Sequence, residues 1–213
     1  MPRRLPRLNL HFIKQVDEAL QLTSRLEQGF LLSDNSGNKV LRLQDLEYGY
    51  EISYLRVFVA WEVFLESTLF RLLCGYAHSG GQEPLRTGQN YFPTLSVAEQ
   101  ALLNGRNYLL WHNPSYAIAR ANSKLTNSRY EAVLSSALSQ IEHFANIRHR
   151  ITHAQEDAKN NFDLATMAIC AQRFRGSRPG RFLRKFDSTA TTPTRFLEAL
   201  SRDLGSLANQ ICA

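Results

Sequence analysis

The segment IRHRITH, residues 147–153, places two arginines and two histidines within seven residues. Histidine titrates near neutral pH and serves as a general acid or base, and an arginine guanidinium stabilises negative charge on phosphate oxygens. Arg148 and His153 are therefore suited to phosphodiester chemistry in which a ribose 2′-OH loses its proton and a phosphorane gains charge. We take these two residues as the catalytic candidates, with His149 and Asn146 as supporting polar residues.

Two other interpretations of the segment remain open. Histidines four residues apart, followed after four more by Asp157, have a spacing that can chelate zinc, but no cysteine or distant histidine cluster completes a ligand set. The segment is also compatible with a solvated face of a basic protein. On a straight helix Arg148 and His153 lie about 140° and roughly 7.5 Å apart, so a ligand would have to bridge them. We predict no metal and no cofactor.

The elements that position this segment are predicted to be helices, because apolar residues recur at steps of three and four. Long helices are expected over about 10–30, 44–74, 128–159 and 162–174, with a last helix opened by Thr192-Pro193. Ser96 with Glu99 forms a capping-box pair before one short helix, and Asn113-Pro114 begins another that ends near 122. Strand-like alternation is almost absent. The predicted class is therefore all-α, an antiparallel bundle with additional short helices.

The helix over 44–74 contains YLRVFVAWEVFLESTLFRLLCGY, which is apolar on nearly every side and is expected at the centre of the bundle. Glu62 and Glu66 interrupt its apolar surface. A buried carboxylate needs a partner, so the first expectation is an ion pair with Arg56 or Arg71, and the second is a role in orienting the catalytic candidates. The loop over 75–95 that follows is rich in glycine and polar residues, and its composition is compatible with either a gate or disorder.

Length and composition limit the class of protein. A chain of 213 residues, 44% of them hydrophobic, has material for one core, and we predict a single domain over 1–213. Within it the helical core covers about 10–160, and a basic loop and helix cover about 162–213. No apolar run is long enough to cross a bilayer or to act as a signal peptide, so a cytoplasmic protein without membrane contact is predicted. Cys74, Cys170 and Cys212 cannot all pair internally and are predicted to fill the core.

The net charge of +6 favours a polyanionic partner. A basic string near the C-terminus is interleaved with phenylalanines, a combination suited to single-stranded RNA. The predicted RNA-binding residues are Arg150, Arg173, Arg175, Arg178, Arg181 and Arg184. An equally weighted interpretation is a surface loop that phenylalanines anchor to the core, and the spacing of Phe182 and Phe186 suits anchoring better than stacking.

Arg148, a polar residue at 149, Ile151 and His153 resemble the R-x4-H motif of the HEPN superfamily. The stretches LRVFVAWEVFLESTLFRLL and YLLWHNPSYAIARA are similar to the second helix and the connecting region of that superfamily, and the resemblance covers about 45–160. It implies a HEPN-like helical bundle that forms a homodimer, with the motif helices of both copies facing one cleft. It also implies metal-independent RNA cleavage that leaves a 2′,3′-cyclic phosphate and a 5′-hydroxyl.

The resemblance further implies a toxin or antiviral defence effector, which an antitoxin or another regulatory protein would control. Some HEPN proteins cleave no RNA. The alternative is therefore a catalytically silent HEPN-like module that binds RNA or a protein through its basic surface. The two functions differ in whether Arg148 and His153 converge on an open cleft or are buried in structural contacts.

Overall fold

A computed structural model describes residues 2–172, 174, 176, 178–188 and 190–213. The helices are α1 Leu8–Leu31, α2 Leu43–Leu73, α3 Leu95–Leu103, α4 Pro114–Lys124, α5 Arg129–Ser136, α6 Leu138–Thr152, α7 Glu156–Cys170, α8 Pro179–Arg184 and α9 Phe196–Cys212. Two short strands, β1 Ala77–His78 and β2 Gly81–Gln82, form an antiparallel hairpin. The predicted all-α class is confirmed for the described residues. Within them, no helix combines the length and the apolar character that a membrane span needs.

The chain divides into two compact units. The first unit contains Met1–Phe12, Trp61–Ile141 and Gly205–Ala213, and the second contains Ile13–Ala60 and Glu142–Leu204. Helices α1, α2, α6 and α9 each contribute residues to both units. All seven residues of the IRHRITH segment belong to the second unit.

The core of the first unit is built around aromatic residues in the first turns of α1 and in α2. The ring of Trp61 lies 5.7 Å from that of Phe12 and 5.5 Å from that of Phe64, measured between centroids. Tyr130 of α5 is fully buried, and its hydroxyl donates to the Leu65 carbonyl over 3.2 Å. This bond ties α5 to α2 without leaving a buried hydroxyl unsatisfied.

The two short helices of this unit are where the sequence placed them, but only one cap is as predicted. Asn113 caps α4 by accepting the Tyr116 amide over 3.2 Å, and Pro114 is its first residue, which confirms the prediction. The cap of α3 is Thr94, whose hydroxyl accepts the Val97 amide over 3.3 Å. The predicted Ser96–Glu99 capping box is therefore wrong. Threonine and serine cap helices with the same chemistry, so spacing alone did not separate the two positions.

The loop over 75–95 is fastened to the start of α5. Glu83 is buried, and its carboxylate accepts the Arg129 amide over 2.9 Å and lies 3.2 Å from Nε2 of His78. The other ring nitrogen, Nδ1, accepts the Gly80 amide over 2.9 Å. Tyr91 closes the loop by donating to the Glu83 carbonyl over 2.8 Å. Both ring nitrogens of His78 thus make structural contacts. The role of the Glu83–His78 pair is therefore to hold the loop in place.

In the second unit α2 packs against α6 and α8 against α9. The Tyr54 hydroxyl of α2 donates to the Phe144 carbonyl of α6 over 2.9 Å, in full burial. Phe182 of α8 is also fully buried and stacks on Phe196 with ring centroids 4.6 Å apart. For Phe182 the structure therefore matches the anchoring interpretation of the basic string, because a buried ring offers no face to an RNA base.

A charged cluster around Glu27 ties α1 to α2, α8 and the start of α9. Glu27 Oε1 accepts the Tyr50 hydroxyl over 2.9 Å and Arg184 Nε over 2.8 Å, and Nη2 of Arg195 lies 3.1 Å away. Burial acts to raise the pKa of Glu27, but the hydrogen bonds from Arg184 and Tyr50 and the charge of Arg195 hold it below its ordinary value. The carboxylate is therefore ionised when the protein is folded.

Replacing Glu27 with glutamine is expected to lower the free energy of unfolding by about 1–3 kcal/mol, because two half-buried guanidinium groups lose their anionic partner. The matched control is Glu18→Gln on the same helix, since Glu18 pairs with Arg56 over 2.8 Å but in solvent, and about 0–1 kcal/mol is expected there. Urea denaturation at pH 7 measures both. Because the pKa of Glu27 is depressed in the folded protein, the stability that its carboxylate contributes is lost as pH falls below about 4. The free energies of unfolding of the wild type and of Glu27→Gln should therefore become equal in acid. Equal losses in the two variants at pH 7 would contradict this account.

The predicted continuous helix over 128–159 is wrong, because the chain forms α5, α6 and α7 in its place. Near the first break the Ser136 hydroxyl donates to the Val133 carbonyl over 2.9 Å. At the second break the Thr152 hydroxyl donates to the carbonyls of His149 and Arg148 over 3.1 and 3.3 Å. Hydroxyl groups that bind nearby carbonyls compete with regular helical bonding. As a result His153 lies directly after the last residue of α6.

Helix α2 was predicted to be apolar on nearly every side and to lie at the centre of the bundle, but only one of its sides is buried and another is exposed. Tyr54, Phe58 and Trp61 are fully buried. On another face of α2 lies a row of apolar residues at steps of four, three and four, which we call the α2 stripe: Tyr48, Ile52, Leu55 and Val59. Leu55 is half-buried, and the other three are between 42% and 62% exposed. This spacing is that of the contact positions in helix pairs.

Candidate functional site

The C-terminal turn of α6 carries the main site residues. Arg148, His149 and Arg150 lie near the end of the helix, and His153 follows Thr152. The His153 amide still donates to the His149 carbonyl over 2.9 Å, so the backbone stays helical up to that residue. Arg150 Nη1 donates to the His153 carbonyl over 3.4 Å and so covers one of the carbonyls at the helix end. The local backbone therefore holds both histidines on one side of the helix terminus.

The two imidazole rings lie close together. Their centroids are 4.4 Å apart with the planes tilted by 43°, and His149 is half-buried while His153 is exposed. Burial lowers the pKa of His149, and the charges of His153 and Arg148 act in the same direction. His149 is consequently a neutral imidazole at neutral pH, able to accept a proton or a hydrogen bond.

Arg148 completes this group from the same turn of α6. Its side chain is half-buried, with Nε shielded from solvent, and its charge acts on His149. Asn146 is also half-buried and lies two residues earlier on α6. The structure thus brings the rings of His149 and His153 together, and the positive charge of Arg148 acts on His149 from the preceding residue.

Two of the predicted RNA-binding arginines lie near a carboxylate pair on α2. Arg178 Nη1 is 3.7 Å from Glu47, and Glu51 accepts the Gly180 amide over 2.9 Å. Burial raises the pKa of Glu51 and the charge of Glu47 adds to this shift, whereas the Gly180 amide and the charges of Arg178 and Arg150 oppose it. The site on α6 is therefore electrostatically linked to α2. This carboxylate pair was not among the predicted site residues, although it has the same i, i+4 spacing on an apolar helix as Glu62 and Glu66.

The other members of the basic string differ in their surroundings. Arg181 is exposed on α8, while Arg184 is bound to Glu27 and lies with its guanidinium 5.3 Å from the Phe30 ring centroid. These contacts argue against the predicted RNA-binding role of Arg184, because releasing it breaks an ion pair that holds the fold together. Arg173 and Arg175 lie outside the described residues.

Glu62 and Glu66 belong to the first unit, where both are half-buried. Glu66 accepts a hydrogen bond from Trp111 Nε1 over 2.8 Å. The arginines expected as its partners bind elsewhere, since Arg56 pairs with Glu18 over 2.8 Å and Arg71 donates to the Ser67 carbonyl over 2.8 Å. The predicted pairing of Glu66 with these arginines is therefore wrong, and an indole takes the place of a guanidinium.

Metal-ligating side chains and cysteine thiols are two further kinds of group that can carry chemistry. The described part of the chain contains no cluster of three histidine, cysteine, aspartate or glutamate side chains arranged to hold a metal ion. Asp157 lies in the first turn of α7, beyond the break that takes it out of helical register with His153. Cys74, Cys170 and Cys212 are free thiols, and burial raises the pKa of each. A raised pKa disfavours the thiolate form, and Cys170 is buried as predicted, whereas Cys74 and Cys212 are half-buried.

The depressed pKa of His149 makes stability depend on pH. Protonation is easier in the unfolded chain than in the folded one, so stability falls as pH drops from about 6.5 through the folded pKa. We expect His149→Gln to show a flatter dependence than the wild type between pH 7.5 and 5, as measured by urea midpoints. His11→Gln, at an exposed position, is the control and should follow the wild-type curve. A His149 variant with the wild-type slope would contradict the shift.

No family model, no curated protein and no solved structure matches this chain. The resemblance to the HEPN superfamily accordingly depends on the motif residues themselves. The chemistry of Arg148, His149 and His153 at the end of α6 is therefore the basis for proposing a function.

Proposed function

We propose that the protein is a metal-independent endoribonuclease of the HEPN type. The observation that carries the proposal is the pairing of His149 and His153, 4.4 Å apart at the open end of α6, with Arg148 in the same turn. Imidazoles move protons at neutral pH, and a guanidinium stabilises the charge of a pentavalent phosphate. This combination suits RNA, because the attacking 2′-hydroxyl is part of the substrate.

In the proposed reaction a neutral imidazole takes the proton of the ribose 2′-OH, and the 2′-oxygen bonds to the adjacent phosphorus. The bond from phosphorus to the 5′-oxygen breaks, and an imidazolium protonates that oxygen. The products are a 2′,3′-cyclic phosphate and a 5′-hydroxyl. His149, held neutral by its surroundings, is suited to accept a proton, and the exposed His153 is the primary acid-base group. Arg148 stabilises the charge on the phosphorane.

The same geometry favours two copies of the chain at one substrate. In an in-line displacement the attacking and leaving oxygens lie on opposite sides of phosphorus. Two rings that lie 4.4 Å apart at one helix end approach from a single side. A second copy can supply the acid or base for the other side, which is the arrangement that the HEPN resemblance implies.

The α2 stripe supports this homodimer. Its exposed apolar residues lie on the helix that also carries Glu51, whose carboxyl feels the charge of Arg150 from α6. Burying such a stripe against its copy removes apolar area from water, at a place electrostatically linked to the site. The further proposals that this is a cytoplasmic toxin or antiviral defence effector, controlled by an antitoxin or another regulatory protein, come from the HEPN resemblance alone.

The experiment that tests the function is incubation of a labelled, structured RNA with the wild-type chain in EDTA, followed by analysis of the product ends. Cleavage in chelator with 2′,3′-cyclic phosphate and 5′-hydroxyl ends is the expected result. Cleavage that stops in EDTA, or products with 5′-phosphate ends, would overturn the mechanism. Boiled enzyme and a preparation that carries both Arg148→Ala and His153→Ala control for contaminating ribonuclease.

A second candidate function is a catalytically silent module that binds RNA or a protein. The observation in its favour is that Nε of Arg148 is shielded from solvent, which is the environment of a structural arginine. This function predicts that the wild type binds RNA and leaves it intact, that His153→Ala binds equally well, and that Arg148→Ala lowers stability.

A further inference from the structure

A basic and aromatic surface lies in the first unit, on α4 and the segment before it. We call it the Arg120 surface, and it consists of Arg106, Tyr108, Tyr116 and Arg120. The guanidinium of Arg120 lies 4.9 Å from the ring centroid of the buried Trp111 and 6.0 Å from that of Tyr116. Tyr116 is 50% exposed and Tyr108 is 71% exposed. Large aromatic side chains in such exposure, next to arginine, are suited to contact a ligand.

The charge of this surface is not neutralised locally. Among the described residues, neither Arg106 nor Arg120 forms an ion pair within 4 Å, and Glu66, whose charge acts on Arg120, accepts a hydrogen bond from Trp111 Nε1 over 2.8 Å. Burial lowers the pKa of Arg120 and the charge of Arg106 acts in the same direction, whereas Tyr130, Glu66 and Tyr116 oppose this shift. An anion that binds near both guanidinium groups is attracted to each of them.

Arg120 is held in place before any ligand arrives. Its Nη1 donates to the Leu110 carbonyl over 3.4 Å, and Trp111 beneath it is fixed by Glu66. A guanidinium that is already ordered loses little conformational entropy when it binds a phosphate. Tyr116 lies beside it on α4 and is 50% exposed, and a tyrosine ring can stack on any nucleobase without regard to sequence.

We propose that the Arg120 surface binds single-stranded RNA, with Arg106 and Arg120 on the backbone phosphates and Tyr116 stacked on a base. The choice of RNA as the polyanion rests on the proposed function. Tyrosine and arginine are also frequent at protein interfaces. The Arg120 surface contains two arginines and no carboxylate, which favours a polyanion as its ligand. Binding of a protein partner in place of RNA is one of the results that the test below can give.

The test is a fluorescence anisotropy titration of a labelled 12-nucleotide oligouridine with the full chain carrying His153→Ala, so that cleavage does not interfere. In this background Tyr116→Leu is expected to weaken binding about fivefold or more, since it removes one stacking face. Arg106→Gln and Arg120→Gln are expected to weaken binding and to reduce the slope of log Kd against log salt by about 0.7 each. Tyr116→Leu should leave that slope unchanged, and Tyr116→Phe should retain affinity.

The matched control is Arg25→Gln, which removes one exposed positive charge from α1 and should change neither affinity nor slope. Arg120 has internal contacts, so circular dichroism melting checks its variant, and the exposed Arg106 and Tyr116 remain decisive if that variant unfolds. Equal effects in all variants including Arg25→Gln, or no effect in any, would overturn the proposal. So would self-association that Tyr116→Leu abolishes while RNA affinity stays the same.

The binding experiment on the Arg120 surface and the cleavage experiment on the proposed ribonuclease can fail independently of each other. If the wild type cuts RNA in EDTA while the Arg120-surface variants bind normally, the surface is not an RNA site and the ribonuclease stands. If these variants lose affinity while the wild type cuts nothing, the surface binds RNA and the ribonuclease proposal fails.

Discussion

His153→Ala is expected to lower the rate of RNA cleavage by about 10²–10⁴-fold, the usual contribution of a general acid or base. The reason is geometric, because His153 is the exposed member of the imidazole pair and the one that solvent and substrate reach first. Its removal leaves His149 in place, but burial lowers the pKa of that imidazole, so the imidazolium form that must protonate the leaving oxygen is disfavoured. Single-turnover cleavage of labelled RNA in EDTA measures the loss.

Two control variants sharpen this result. His11→Ala replaces an exposed histidine on α1 and should leave the rate unchanged. Arg148→Lys keeps a positive charge but loses the planar guanidinium, so we expect it to retain more activity than Arg148→Ala and less than the wild type. A His153→Ala protein that folds and cleaves at the wild-type rate would remove His153 from the mechanism.

Gly180→Ala is expected to lower the free energy of unfolding by about 3 kcal/mol. A methyl group at this position would lie 2.6 Å from the carbonyl carbon of Glu47 and closer still to its oxygen. Both are backbone atoms in the middle of the second unit, so they cannot rotate aside as a side-chain end would. Separating α8 from α2 also stretches the hydrogen bond from the Gly180 amide to Glu51.

The matched substitution is Gly29→Ala in α1, where an added methyl group meets nothing within 4 Å. Alanine is the better helix former, so stability should rise there by about 0.5–1 kcal/mol. Urea denaturation should thus show a decrease in the free energy of unfolding for Gly180→Ala and an increase for Gly29→Ala, although the chemical change is the same. If both variants gained stability, the close approach of α8 to α2 would be disproved.

The helices were predictable wherever their signals are local. The periodic apolar residues of α1 and α2 predicted both to within two residues at each end, and Asn113-Pro114 predicted the start of α4. Helical hydrogen bonds join residues four apart, so a short window contains the relevant information. The breaks at Ser136 and Thr152 were missed because their hydroxyls offer the backbone an alternative bond, and the apolar pattern does not register that competition.

For the candidate site, the sequence by itself determined which side chains are present and that Arg148, His149 and His153 lie within a span of six residues. The tertiary structure decided their surroundings. Burial lowers the pKa of His149, and Arg184 is bound to Glu27, a residue 157 positions away in the chain. Desolvation and ion pairing depend on which distant segments pack together, and that packing is set by the whole core and not by the spacing within one helix.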